Sequence, residues 1–123
     1  ATLHPGFYNG GGSWGDNMGT HSYTHPDLRK KYYAGGFQGG ETKHYLEACR
    51  LMADDIADDE KNGIIAEHND ETHWNKFLCD KTPKTLTPEY CMVQQVPLRL
   101  EWRIDHFRPK IIALEKNHIE IRS

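Results

Sequence analysis

Residues 68–77 read His-Asn-Asp-Glu-Thr-His-Trp-Asn-Lys-Phe and set an acidic pair, Asp70 and Glu71, between two histidines. Adjacent carboxylates can divide labour, one holding substrate hydroxyls and the other facing a developing cation. His68, Asn69 and His73 add donors and acceptors around them. The same residues also make an ordinary helix start. With Asn69 as N-cap, Asp70 and Glu71 fall in the first turn. Unpaired N–H groups and the positive end of the helix dipole favour each carboxylate there by roughly 0.3–1 kcal/mol. A metal site fits poorly. His68 and His73 are five residues apart, about 140° around a helix. Asp70 and His73 share a face, but two ligands make a poor site.

The elements around this stretch follow from periodicity. From Thr42 to Asn62 the residues Tyr45, Cys49, Met52, Ala53 and Ile56 recur at intervals of three and four, which predicts a helix with one apolar stripe. Asn62-Gly63 is a stop signal, with the glycine free to take a left-handed cap. Asp54, Asp55, Asp58 and Asp59 lie mainly away from the stripe and are expected on a solvated face. Ile64, Ile65 and Ala66 form an apolar run before the acidic pair, placing a site at the end of a buried strand. The second helix begins at Asn69 and buries Trp74, Phe77 and Leu78.

Upstream, residues 9–31 are rich in Gly, His and turn formers and read as a long loop. "YYAGGFQGG" (32–40) can bury Tyr32, Tyr33 and Phe37, and its glycines permit a tight turn or a close approach. No Gly-Lys-Ser/Thr follows, which excludes a P-loop. Downstream, residues 81–90 carry two prolines and read as a connection and turn. Apolar and charged residues alternate over 98–105, predicting a half-buried strand, and 110–114 form a second strand before a polar tail. The class is mixed α/β.

Composition excludes several partners. The chain has 123 residues, enough for one modest domain, and a net charge of -3, which provides no footprint for nucleic acid or an anionic membrane. Mean hydropathy is -0.81, and no apolar run approaches the roughly 20 residues of a membrane span. Cys49, Cys79 and Cys91 have no metal-binding spacing and read as free thiols. The opening "ATLHPGFY" has no initiator Met, so upstream sequence is expected.

Five stretches, "TLHPGFY" (2–8), "YYAGGFQGG" (32–40), "NGIIAEHNDETHWNKF" (62–77), "KTPKTLTPEY" (81–90) and "KNHIEIR" (116–122), occur in an order and spacing that resemble the C-terminal part of glycosyltransferase family 6. That family includes the histo-blood group A and B transferases, the α-1,3-galactosyltransferases and bacterial homologues. The loop after Tyr8 and the segment between Tyr90 and Glu115 match poorly. The resemblance implies a GT-A fold with a mixed sheet and flanking helices. Residues 1–123 would be the C-terminal portion of one catalytic domain whose nucleotide-binding N-terminal half lies outside this chain. It further implies a retaining enzyme that moves N-acetylgalactosamine, or less favourably galactose, from UDP to the 3-hydroxyl of an acceptor galactose, α1,2-fucosylated in the expected acceptor. By resemblance Glu71 is the catalytic carboxylate near the anomeric carbon, and Asp70 holds donor-sugar hydroxyls. His4 and His68 contact the acceptor, and Lys116 and Arg122 close over the diphosphate. The resemblance assigns no metal ligand to this chain. Mn(II) is expected only with an upstream D-x-D motif, and metal-independence follows for a bacterial member.

His68 stands where mammalian members carry a tryptophan, and Val93 stands where the blood group enzymes carry an acidic residue. Both departures suggest a bacterial member and a cytoplasmic location; an animal member would work in the Golgi lumen. Two other classes compete. A non-catalytic carbohydrate-binding fragment would use Trp14, Tyr32, Tyr33 and Trp74. A metal-dependent hydrolase would use His4, His21 and His25 with Asp70.

Ala34, Gly35 and Gly36 fall, by the same resemblance, on the triplet that selects the donor. An N-acetyl group at C2 needs more room than a hydroxyl, and glycine at the third position leaves it. Gly36 thus favours UDP-GalNAc. Gly36→Ala is expected to shift the kcat/KM ratio towards UDP-Gal by a factor matching roughly 1–3 kcal/mol for a methyl-sized clash; equal ratios in parent and variant would refute this.

Overall fold

The computed structural model describes residues 1–94 and 103–115. Helix α1 spans Thr42–Lys61 and helix α2 spans Asn69–Leu78. Strands β1 (Met92–Val93) and β2 (Ile112–Ala113) form a parallel pair, with Met92 opposite Ile112. Short 3-10 turns occupy Pro26–Leu28 and Pro88–Tyr90. The coarse expectation of an α/β arrangement is met. Most of the strand expected over 98–105 lies outside the described residues, and its described end turns at Arg103, where φ is 49°.

The end of α1 follows its sequence. Gly63 takes φ 73°, donates to Glu60 O at 2.9 Å, and lets Ile64 N–H reach Asp59 O at 3.0 Å. These two bonds satisfy carbonyls that the helix end would otherwise leave open. Of the predicted stripe, Tyr45, Cys49, Met52 and Ile56 are half-buried and Ala53 is exposed, whereas Ala48 is fully buried. Tyr33, Ala48, Trp74 and Leu78 form the core at which the helices meet. The Tyr45 and Trp74 rings meet edge-on with centroids 6.2 Å apart. Burying an aromatic side chain such as Trp74 contributes on the order of 2–3 kcal/mol.

Two expectations change. Ile64–Ala66 is not a strand: Gly63 turns the chain, Asn69 N–H bonds back to Ala66 O at 3.0 Å, and Ile65 is exposed. Asp59 does not lie on a solvated face. It is buried, and its two oxygens accept the His21 N–H at 3.1 and 3.2 Å, with His73 Nε2 at 3.8 Å. The His21 ring meets Asp58 at 3.0 Å and Asp55 at 3.4 Å. The long loop is thereby strapped across the acidic side of α1. The hydrogen bond to Asp58 holds the His21 pKa above its ordinary value, while burial pushes that of His73 down.

The central frame is built from three extended segments. Thr2 bridges Leu86 in parallel, and Leu3 bridges Tyr33 in antiparallel fashion. His4 N–H donates to Tyr32 O at 3.0 Å, and Ala34 N–H donates to Thr2 O at 2.9 Å. On its opposite edge Tyr33 pairs with no strand among the described residues. The buried Asn75 side chain supplies that edge: its Oδ1 accepts Tyr33 N–H at 2.7 Å, and its Nδ2 donates to Tyr33 O at 2.8 Å and to Glu71 O at 2.9 Å. Asn75→Ala leaves both Tyr33 groups buried without partners, and it is expected to lower unfolding stability by about 2–4 kcal/mol in chemical denaturation; a loss under about 0.5 kcal/mol would show that the amide does not hold the frame.

Candidate active site

Helix α2 brings its first turn against the glycine segment. His68, not Asn69, is the N-cap, and neither side chain caps the helix. Asn69 is already helical by position but takes φ 45°, a left-handed value that asparagine tolerates better than most residues. His68 N–H instead bonds Thr72 Oγ1 at 3.2 Å. The kinked entry leaves Glu67, His68, Asn69 and Asp70 exposed at the helix start, with Glu71 half-buried behind them.

Glu71 is held by the backbone. Gly35 N–H donates to Glu71 Oε2 at 2.8 Å. A Cβ on Gly35 would lie 2.9 Å from Glu71 Cβ and 3.3 Å from Glu71 Cα, so only glycine allows this approach. Gly36 differs: a Cβ there would meet only Cys91 Sγ, at 3.6 Å. Methyl-sized space therefore exists at Gly36 and is absent at Gly35.

A cleft of about 660 Å³ opens over these groups. His4, Gly35, Gly36, His68, Asp70 and Glu71, singled out in the sequence, all line it, as do Phe7, Ser13, Glu67 and Asn69. Ala34 is buried behind the wall and does not reach the cleft. Lys116 and Arg122 lie outside the described residues. No lysine or arginine is among the described residues that line the cleft. The arrangement suits a polyhydroxylated, uncharged ligand and a developing positive charge more than a phosphate.

His4 Nδ1 accepts Gly6 N–H at 3.0 Å, which puts the proton of the neutral ring on Nε2. Burial lowers the His4 pKa, against the opposing pull of Glu71, so the neutral form is favoured. Tyr32 packs behind Ser13 and His4. It is fully buried, its hydroxyl donates to Ser13 O at 3.1 Å, and burial together with the Glu71 carboxylate pushes its pKa far up.

The rival constellations do not assemble. His21 faces the α1 aspartates, and His25 Nδ1 lies 3.5 Å from Asp27 on its own turn. Neither lines the cleft with Asp70. Among the described residues no group of three or more His, Cys, Asp or Glu is placed to hold a metal ion. Trp14, Tyr32, Tyr33 and Trp74 are buried in the fold, and none of them lines the cleft with Asp70 and Glu71. Sequence reasoning missed Ser13, Phe7, Glu67 and Asn75. The only advance signal for Asn75 was its place one helical turn after Glu71.

A half-buried carboxylate fixed by a backbone N–H, beside a second carboxylate in a polar cleft, is an arrangement able to stabilise positive charge developing on a polyhydroxylated ligand. The profile of Glycosyltransferase family 6 matches residues 1–123, and the chain belongs to that family. It is 36% identical over 129 residues to rat Histo-blood group ABO system transferase 1, covering 99% of this chain and 35% of that protein. It is 30% identical over 127 residues to chicken Globoside alpha-1,3-N-acetylgalactosaminyltransferase 1, covering 100% of this chain and 36% of that protein. The human protein of the latter name is 36% identical over 67 residues, or 54% of this chain. The chain thus spans about a third of the length of the curated relatives it matches. Among the described residues no helix is long and apolar enough to cross a membrane.

The two glycines make opposite predictions for stability. Gly35→Ala must displace the Glu71 stem and is expected to cost about 1–3 kcal/mol, whereas Gly36→Ala should stay within about 0.5 kcal/mol of the parent. Denaturant midpoints measured side by side test this, and equal midpoints would refute the close approach at Gly35.

Proposed function

We propose that this chain is the sugar-handling part of a retaining glycosyltransferase of GT-A type. The enzyme transfers N-acetylgalactosamine, or less favourably galactose, from its UDP-sugar to the 3-hydroxyl of an acceptor galactose, α1,2-fucosylated in the preferred substrate. The observation that carries this reading is Glu71, fixed by Gly35 N–H at 2.8 Å in the cleft of a family 6 chain. Two of the relatives above are named for blood-group and α-1,3-N-acetylgalactosaminyl transfer, which supports the choice of donor and linkage.

Each residue then has a stated task. As the bond between the anomeric carbon and the UDP oxygen lengthens, positive charge builds on the sugar ring. The Glu71 carboxylate stabilises it, already oriented by the Gly35 N–H and therefore needing little reorganisation. Asp70, one residue earlier and exposed to the cleft, accepts hydrogen bonds from sugar hydroxyls. The neutral His4, with its Nε2–H, donates to an oxygen of the acceptor. Gly36 leaves space for the N-acetyl group. Lys116 and Arg122 supply the cations for the departing diphosphate, a role the described cleft residues do not fill. The uridine, and any Mn(II), belong to the upstream half of the same enzyme. A bacterial, cytoplasmic enzyme is part of the same reading, resting on His68 and Val93 at positions where the mammalian enzymes differ.

The test is Glu71→Gln in the full-length protein, which keeps the shape and removes the charge. Transfer of GalNAc to a fucosylated galactoside is expected to fall by about 10²–10³-fold or more, with UDP-GalNAc affinity changed far less. Turnover within twofold of the parent would overturn the assignment of Glu71.

A further inference from the structure

We infer that Glu67 sets the charge selectivity of the cleft, so that neutral acceptor sugars enter and sulfated or sialylated ones are turned away. This rests on the proposed transfer reaction and adds the class of acceptor. Glu67 lines the cleft together with Asp70 and Glu71, which puts three carboxylates on one cavity of about 660 Å³. Among the described residues none of the others lining it is a lysine or arginine that could offset that charge.

Position assigns Glu67 to the incoming acceptor. Glu71 is half-buried against Gly35, where a sugar must lie if its anomeric carbon is to face that carboxylate. Glu67 and His68 are exposed at the start of α2, on the rim over which a second molecule reaches the bound sugar. A carboxylate on that rim can accept hydrogen bonds from hydroxyls of a neutral sugar. A sulfate or carboxylate on the acceptor would instead meet like charge in a cleft whose protein walls focus the field.

The experiment measures kcat/KM for a neutral galactoside and its 6-O-sulfated counterpart in the full-length protein, comparing the parent with Glu67→Gln and Glu67→Lys. Both variants change an exposed side chain outside the core. The parent should prefer the neutral acceptor. The preference should narrow by roughly 3–10-fold in Glu67→Gln and further in Glu67→Lys, with the differences shrinking as salt is raised. An active parent whose neutral-to-sulfated ratio is the same in all three proteins overturns the role of Glu67 alone. A parent that transfers to neither acceptor overturns the proposed function, and this inference with it.

Discussion

Much of this chain depends on one buried amide. Asn75 stands in for a missing strand, accepting from the N–H and donating to the C=O of Tyr33 while Leu3 pairs with the other edge of that segment. A side chain in this position must satisfy a donor and an acceptor at once, which no hydroxyl or carboxylate does as well. The same Nδ2 bonds Glu71 O one turn earlier. Helix α2 and the segment 32–36 are fastened by this amide together with the Gly35 N–H bond to Glu71 and the packing of Tyr33 on Trp74 and Leu78.

The joint explains why the carboxylate can be placed so closely. Asn75 fixes the distance between helix and strand-like segment, and Gly35 removes the side chain that would keep them apart. Glu71 then receives a backbone hydrogen bond without crossing open solvent. Beside it the cleft gathers carboxylates and a histidine kept neutral by burial, and no lysine or arginine among its described residues. Such a wall stabilises positive charge and repels negative charge. An anionic group would consequently need cations that the described residues of the cleft do not supply.

The helices were legible because period and punctuation agree. The apolar spacing from Tyr45 to Ile56 and the Asn62-Gly63 stop locate α1, and the acidic pair after Asn69 locates the start of α2. The centre of the α1 stripe was off by one position: Ala48 is small enough to let Trp74 approach, so it is buried while Ala53 is not. Asp59 was unreadable for a different reason. Its partner, the His21 backbone, lies 38 residues away in a loop whose path no periodicity encodes. The apolar run Ile64–Ala66 imitated a strand but is only three residues long, and the glycine cap of α1 had already committed it to a turn.

Local sequence by itself determined the two helices, the glycine segment, the adjacent carboxylates and membership of a glycosyltransferase family, since motif order and helical period are properties of neighbouring residues. Tertiary structure alone decided that His4, Gly35, Gly36, Asp70 and Glu71 line one cleft, that Ala34 lies behind it, and that Trp14 and Trp74 are core. Those outcomes depend on long-range pairings, Leu3 with Tyr33 and Asn75 with Tyr33. Those pairings are selected because buried polar groups left without partners cost free energy, and the partners they find stand dozens of residues away along the chain.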